Sequence, residues 1–421
     1  MTSRTALISG AGIAGPALAA LLTARGVAVT VVEQAAVPRS GGQAVDLRGA
    51  ARTVAQRMGL LDAIRAVSLD QRGIAWVRGD GSIAARMGVD AFGGEGIVSE
   101  IEVLRGDLAA VLADATADVE YVYGDSIVAL DDDGSGVDVA FEHAPGRRFD
   151  LVVGADGLHS VVRSLAFGPE EDFTRDLGLY SCWFTAPAGI DVDGWMLMHN
   201  LPGGRVATVR PGRVPGELKA GLSFRSGRIA YDRADVAAQK AIVADHFADG
   251  GWEVQRLVAA MHDASDFGFD STAQVHLPSW SHGRIVLLGD AAWSPTQLTG
   301  LGTTLAMVGA YVLAGELAHA ADAAPNDDSS GGLGRDAEIR AALRRYEERM
   351  RPFVASAQKL PPGGVDAFVP TRALEIRMRL AVMGLMTRWP LNRIMAGQFD
   401  KAMDFDLPDY GAVGVHAGPV G

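Results

Sequence analysis

Gly10-Ala11-Gly12-Ile13-Ala14-Gly15 sets three glycines where an apolar run gives way to a helical one. In such a pattern the first glycine permits a tight turn and the second lets the main chain approach a pyrophosphate. The third allows close packing of helix on strand. The helix start, with Ile13, Ala14 and then Pro16 in its first turn, offers unpaired N–H groups to phosphates. Glu33 follows Gly15 by 18 residues and ends a β-branched run, where a carboxylate can accept hydrogen bonds from both ribose hydroxyls of an adenosine. The chemistry indicated is dinucleotide binding; the glycine motif by itself separates NAD from FAD poorly.

Other chemistries find no anchor. The nine histidines show no metal-ligand spacing, so no metal site is expected. No Gly-x-Ser-x-Gly elbow is present to seat a hydrolytic serine. Cys182 is the one cysteine, which excludes an internal disulfide or a cysteine-cluster metal site. His159 reads as a hydrogen-bonding neighbour of a turn, and His199 as a satisfied or solvent-facing strand residue.

Strand, glycine turn, helix and strand within the first thirty-odd residues make a βαβ unit. Two later strands share one grammar: 151–155 runs into Asp156 and Gly157, and 285–288 runs into Gly289 and Asp290. Between them, the short runs 179–185, 195–199, 206–210 and 219–224 are broken by Gly and Pro, as in an antiparallel sheet. The expected fold is α/β: a Rossmann-like domain (1–70, 99–178, 276–335) interrupted by a β-sheet substrate domain (71–98, 179–275). A C-terminal helical segment (336–421) follows. Ile339, Leu343, Tyr346, Met350 and Phe353 recur at helical spacing, and 372–398 also reads as helix. Arg372, Arg377, Arg379, Arg388 and Arg393 make that last part basic and amphipathic, a cover over the two domains. The polar stretch 326–332 reads as a solvated loop, and the tail from Gly411 as frayed.

Composition bounds the partners. A chain of 421 residues suits two to three domains, and 48% apolar with 21% charged residues is an ordinary globular balance. A net charge of −13 repels phosphate backbones, so a nucleic-acid partner is not expected. No run reaches the roughly 20 apolar residues that span a bilayer. The expectation is a cytoplasmic monomer or homodimer.

Two segments carry a resemblance. Leu151-Val-Val-Gly-Ala-Asp-Gly-Leu-His-Ser-Val-Val-Arg163 resembles the DG motif of single-component FAD monooxygenases of the para-hydroxybenzoate hydroxylase class. Arg284-Ile-Val-Leu-Leu-Gly-Asp-Ala-Ala292 resembles their GD motif, and Arg105 in Glu102-Val-Leu-Arg-Gly-Asp-Leu108 resembles their FAD-contacting arginine. The motifs fall in family order over residues 1–320. Gly41-Gly-Gln-Ala-Val-Asp-Leu-Arg48 is most similar to the branch that includes tetracycline-inactivating monooxygenases.

The resemblance implies noncovalent FAD held by Gly10, Gly12, Ile13, Ala14, Gly15, Glu33, Gln34, Arg39, Gln43, Asp46 and Arg105. It extends the site to Asp156, Gly157, Gly289, Asp290, Gly300, Leu301, Gly302 and Thr303. Asp290 would bond a ribityl hydroxyl, and the loop through Pro295, Gly300 and Gly302 would run under the isoalloxazine ring. NADPH or NADH would reduce the flavin transiently. O₂ would then form a flavin C4a-hydroperoxide that transfers one oxygen to an electron-rich aromatic or polyketide-like molecule. Trp183, Phe224, Trp293 and Pro295 are the expected substrate contacts. Two departures stand out: Trp293 where the family often has histidine, and Gln297 where a second proline is common. Alternatives on the same fold are a flavin epoxidase, a Baeyer–Villiger oxygenase, or a non-catalytic flavoprotein that sequesters a ligand. A flavin halogenase would need a Trp-x-Trp-x-Ile-Pro motif, which is absent, and a plain NAD dehydrogenase would leave the DG and GD segments unexplained.

Overall fold

The computed structural model describes residues 4–38, 41–91, 99–322, 332–386 and 405–411. Arg39, most of the polar loop 326–332, Arg388, Arg393 and the tail past Gly411 lie outside the described residues.

Thr5–Ser9 lies inside a six-stranded sheet ordered Ser281–His282, Ile285–Leu287, Leu151–Gly154, Thr5–Ser9, Ala28–Glu33 and Glu120–Tyr123. All neighbours pair in parallel except the first two. Continuous apolar runs suit strands covered on both faces, and Leu7, Ile8, Val31, Val152, Val153 and Val286 are fully buried. Helix Ala14–Thr23 and the longer helix Gly302–Asp322 pack against each other beside this sheet. Parallel pairing brings the carboxyl ends of the strands to one edge, where open α/β sheets bind their ligands. Gly10, Glu33, Asp156 and Asp290 all follow or close strands at that edge.

A second sheet has seven strands: Gly268–Val275, Thr174–Pro187, Glu217–Arg225, Arg205–Pro211, Trp195–Leu201, Gly73–Val77 and Ile83–Gly88. Helices Val236–His246 and Val254–Asp263 cover one face, where Cys182, Phe184, Leu222 and Phe224 meet Phe247, Leu257 and Met261. Alternation along the strands sends Ser181, Trp183, Thr185, Lys219, Gly221 and Ser223 to the opposite face. Thr174–Pro187 runs through the limit expected at 178/179. Gly178, at φ +67, and a register shift between Asp176 and Tyr180 interrupt its pattern without ending it.

A small three-stranded sheet (Ile127–Asp132, Val137–Phe141, Arg147–Phe149) was not foreseen from the sequence. In helix Gly332–Ala357 the residues Leu343, Tyr346, Met350 and Phe353 are buried against the long helix, as their spacing predicts. Helix Ala373–Met386 lies against Ile83–Gly88. No helix among the described residues is long and apolar enough to cross a membrane.

Candidate functional site

The glycine turn is held tightly except where a ligand would approach. Gly10 has φ +106, and a Cβ there would stand 2.5 Å from the Ala155 carbonyl oxygen. A Cβ on Gly15 would run into the Gly10 carbonyl. A Cβ on Gly12 would meet only the Arg105 guanidinium, at 3.6 Å. The two outer glycines therefore serve packing, and Gly12 keeps bare backbone facing a cation. Glu33 closes the turn from the neighbouring strand, its carboxylate accepting from Ala11 N and Ala35 N at 2.8 Å each. A carboxylate can accept about four hydrogen bonds, so a ribose is compatible with these two.

Four further segments reach the same recess. Residues 284–296 are buried with the single exception of Asp290. Its carboxylate opens on the recess, yet protein on the other sides desolvates it and raises its pKa, with the Arg105 charge opposing. Gly289, at φ +65, brings this turn against Ala14 of the first helix. A Cβ on Gly302 would lie 3.9 Å from Asp290 Oδ1, and one on Gly300 would lie 3.4 Å from Asp46 Oδ2. A Cβ on Gly42 would lie 3.7 Å from Arg105 Cβ, and the Gln43 carbonyl accepts from Arg105 N at 2.9 Å. Asp46 pairs with Arg48 at 2.8 Å. Ile13, Leu301 and Thr303 are buried beside the turn, while Gln34 is exposed at the strand end. These proximities trace a candidate groove past the glycine turn, from Glu33 through Arg105 and Asp290 to the start of the long helix. That donor set fits FAD: backbone N–H groups and a cation for a pyrophosphate, carboxylates for ribose and ribityl hydroxyls.

Some expected contacts have other tasks. Asp156 accepts from Ser160 Oγ at 2.5 Å, Val162 N at 3.1 Å and Ser9 Oγ at 3.4 Å. It accepts from the first turn of the next helix, whose N-cap is Ser160, and braces the turn at Gly157. Trp293 is a correction: it is 1% exposed, edge-on to Trp280 at 4.5 Å and close to Tyr346, in the core behind the loop. Phe224 is another, since it faces the helices and stacks on His246 at 3.8 Å. Pro295 is buried, its carbonyl accepting from Gln274 Nε2 at 3.2 Å. Trp183 alone of the four expected substrate contacts stands partly exposed on the face opposite the helices. His199 is satisfied by the Val77 carbonyl at 3.1 Å and packs on Trp252.

Sequence reasoning passed over Arg163, which is fully buried and donates to the carbonyls of Ala291 (3.0 Å) and Leu158 (2.6 Å). It ties the DG segment to the GD segment, and its only signal was its place at the end of the first motif. Gln358 was also missed; its Nε2 donates to the Val275 and Trp293 carbonyls, and an isolated glutamine carries no pattern. Thr296 has φ 83 and ψ 148, a region natural to glycine, which stores about 1–3 kcal/mol in the loop after Asp290.

His159 lies between two carboxylates, Nδ1 to Glu170 at 3.0 Å and Nε2 to Asp270 at 3.0 Å, joining the DG turn to the seven-stranded sheet. Burial lowers its pKa, but Asp270 and Glu170 outweigh this and the net shift is upward. Glu170 is held down to about 2: burial opposes, and His159 and Arg233 prevail. The histidine's contribution is complete below about pH 6.5 and fades as pH rises through its raised pKa. The melting-temperature gap between wild type and His159→Gln should therefore be widest near pH 6 and shrink towards pH 9. A gap that does not change with pH would show that the ring acts by packing alone.

The FAD binding domain family matches residues 3–328. A flavin-dependent monooxygenase from an unknown prokaryotic organism is 34% identical over 408 residues, covering 96% of this chain and 98% of that one. The flavin-dependent monooxygenase eupH of a Phoma species is 34% identical, covering 98% and 99%. The crystal structure of tetracycline destructase Tet(51) superposes with a TM-score of 0.79 at 30% identity, covering 97% of this chain and 99% of that one. The chain belongs to the FAD binding domain family and, within it, to the flavin-dependent monooxygenases.

Proposed function

We propose that the protein inserts one oxygen atom from O₂ into a planar, electron-rich aromatic or polyketide-like molecule, using FAD reduced by NADPH or NADH. FAD would lie along the glycine groove, with Glu33 at the adenosine end, Arg105 at the pyrophosphate and Asp290 at the ribityl chain. The cofactor supplies the oxygen chemistry. The chain would hold it along the carboxyl edge of the parallel sheet, and the helix beginning at Gly302 would offer a positive N-terminus to negative charge on the ring.

The observation that carries the substrate reading is the setting of Trp183. Its cross-strand neighbours on both sides are glycines, Gly221 and Gly268. A Cβ on Gly268 would fall 2.6 Å from the indole Nε1, so the ring lies across that strand as a flat platform. Around it stand Ser181, Ser223, Thr208, Thr185 and Lys219, the last hydrogen-bonded to Thr185 and 3.5 Å from Asp266. Cys182, Phe184, Leu222 and Phe224 serve the opposite, helix-covered face, while Leu179 and Val206 join Trp76 and Met198 in an apolar cluster on the Trp183 side. A flat ring system bearing several hydroxyl or carbonyl groups suits such a surface better than a plain hydrocarbon.

The test uses FAD-loaded protein with NADPH, O₂ and tetracycline as a probe polyketide, alongside simple phenols. Probe-stimulated NADPH oxidation with gain of one oxygen atom in the product is the expected result. Tight probe binding with no stimulated oxidation by any of them would replace this reading with a sequestering flavoprotein. Trp183→Ala should raise KM several-fold or divert NADPH oxidation into hydrogen peroxide at unchanged FAD content. Unaltered KM and coupling would remove Trp183 from the wall.

A further inference from the structure

One side chain joins the loop beyond Asp290 to the seven-stranded sheet. Gln297 Nε2 donates to Ser181 Oγ and to Thr272 Oγ1, each at 2.8 Å. Ser181 Oγ is in turn 2.8 Å from Ser223 Oγ. A single amide thus bonds hydroxyls on two adjacent strands, Gly268–Val275 and Thr174–Pro187, and is linked through Ser181 to a third, Glu217–Arg225. The three hydroxyl residues are buried, whereas Gln297 itself is exposed. A buried hydroxyl that loses its partner is destabilised, so the connection is directional and specific.

The backbone beside it explains what the connection holds. Thr296 occupies a conformation natural to glycine, and such strain persists only where the surroundings over-determine it. Three side chains do so here: Gln274 on the Pro295 carbonyl at 3.2 Å, Thr299 Oγ1 on the Thr296 carbonyl at 3.0 Å, and Gln297 on the sheet. Gly300 then closes the short turn Gln297–Thr299, and Gly302 starts the long helix. Where the family resemblance calls for a second proline, whose ring would stiffen the loop from within, this chain stiffens it from outside through a glutamine.

We infer that Gln297 is a positioning residue that sets the register between the Trp183-bearing sheet face and the loop entering the long helix. It acts on the flavin through Thr296 to Gly302 and touches no reacting atom. Because the inference rests on FAD lying in the groove as proposed above, FAD stoichiometry is measured in every variant and reports that placement separately.

The experiment compares holoenzyme with Gln297→Met, which keeps length and removes both amide bonds, and with the pair Ser181→Ala/Thr272→Val, which removes the partners. The readouts are FAD stoichiometry, the visible spectrum of bound flavin and its midpoint potential. FAD content should hold. The two-electron equilibrium should move at least tenfold towards the oxidised form, about 30 mV, because the helix N-terminus no longer favours the anionic reduced ring. All three substitutions together should shift it no further than either set alone, since they break one connection. An unchanged potential and spectrum in FAD-replete Gln297→Met, or shifts that simply add, would overturn the assignment. If Gln297→Met does not retain FAD, the Ser181→Ala/Thr272→Val protein with Gln297 intact decides it by the same potential.

Discussion

Gly15→Ala is expected to yield protein without bound FAD and with a large loss of stability. The methyl group would run into the Gly10 carbonyl, lying 3.1 Å from its carbon and 3.4 Å from Ile8 Cγ2. Neither neighbour can yield. Gly10 is pressed against Ala155 and Asp156, which are joined to the central strand through the Ala155 N to Ser9 O bond of 2.8 Å. Relief would come only from moving helix Ala14–Thr23 off the sheet, and nine of its ten residues are buried. Overpacking against mobile side chains costs about 1–3 kcal/mol. Against fixed backbone the value belongs in the severe tail, on the order of 4 kcal/mol, a large share of a typical domain's stability. Gly227→Ala is the control, because a Cβ there meets nothing within 4 Å and its φ is ordinary. Melting temperature and the flavin absorbance of purified protein measure both. A yellow Gly15→Ala protein melting with wild type would show that the turn has slack the packing does not reveal.

The same packing shows why so much of the candidate groove was legible in the sequence. Gly10, Gly12 and Gly15 are read from type and spacing because only a side chain of no size fits two of those places. Asp290 and Glu33 are read from their position after apolar runs, which parallel pairing then gathers at one edge. The substrate face was harder for an equally physical reason. Strand 217–225 alternates strictly, Leu218, Ala220, Leu222 and Phe224 on one face and Glu217, Lys219, Gly221, Ser223 and Arg225 on the other, but alternation alone does not say which face meets a covering element and which is left for a ligand. Only the helices 236–246 and 254–263, packed on one side, decide which face is core. Trp293 follows a motif expected to face the cofactor, yet its bulk fills space behind the loop, beside Gly309 and against Trp280. The strand Gly73–Val77 pairs with Trp195–Leu201 across more than a hundred residues of chain, a partnership no local spacing encodes.

Asp290→Ala should separate affinity for FAD from stability of the protein. Among the described residues its carboxylate accepts no hydrogen bond, although it is desolvated on most sides and its pKa is raised. A carboxylate whose folded pKa lies above its unfolded value opposes folding at neutral pH, where both states are ionised. Removing it should leave the FAD-free protein as stable as before, or more so. With FAD bound the balance reverses, since a hydrogen bond to a charged group contributes roughly 1.5–3 kcal/mol. At about 1.4 kcal/mol per decade this is about a ten- to hundredfold weaker dissociation constant. Ligand linkage makes the separation measurable: the melting-temperature gain on adding FAD should shrink while the FAD-free midpoint holds or rises. Asp290→Asn, which keeps an acceptor oxygen without the charge, should fall between wild type and alanine. Equal FAD affinity in all three folded proteins would place the ribityl chain elsewhere in the groove. A drop in the FAD-free midpoint would instead make Asp290 a structural residue of the turn.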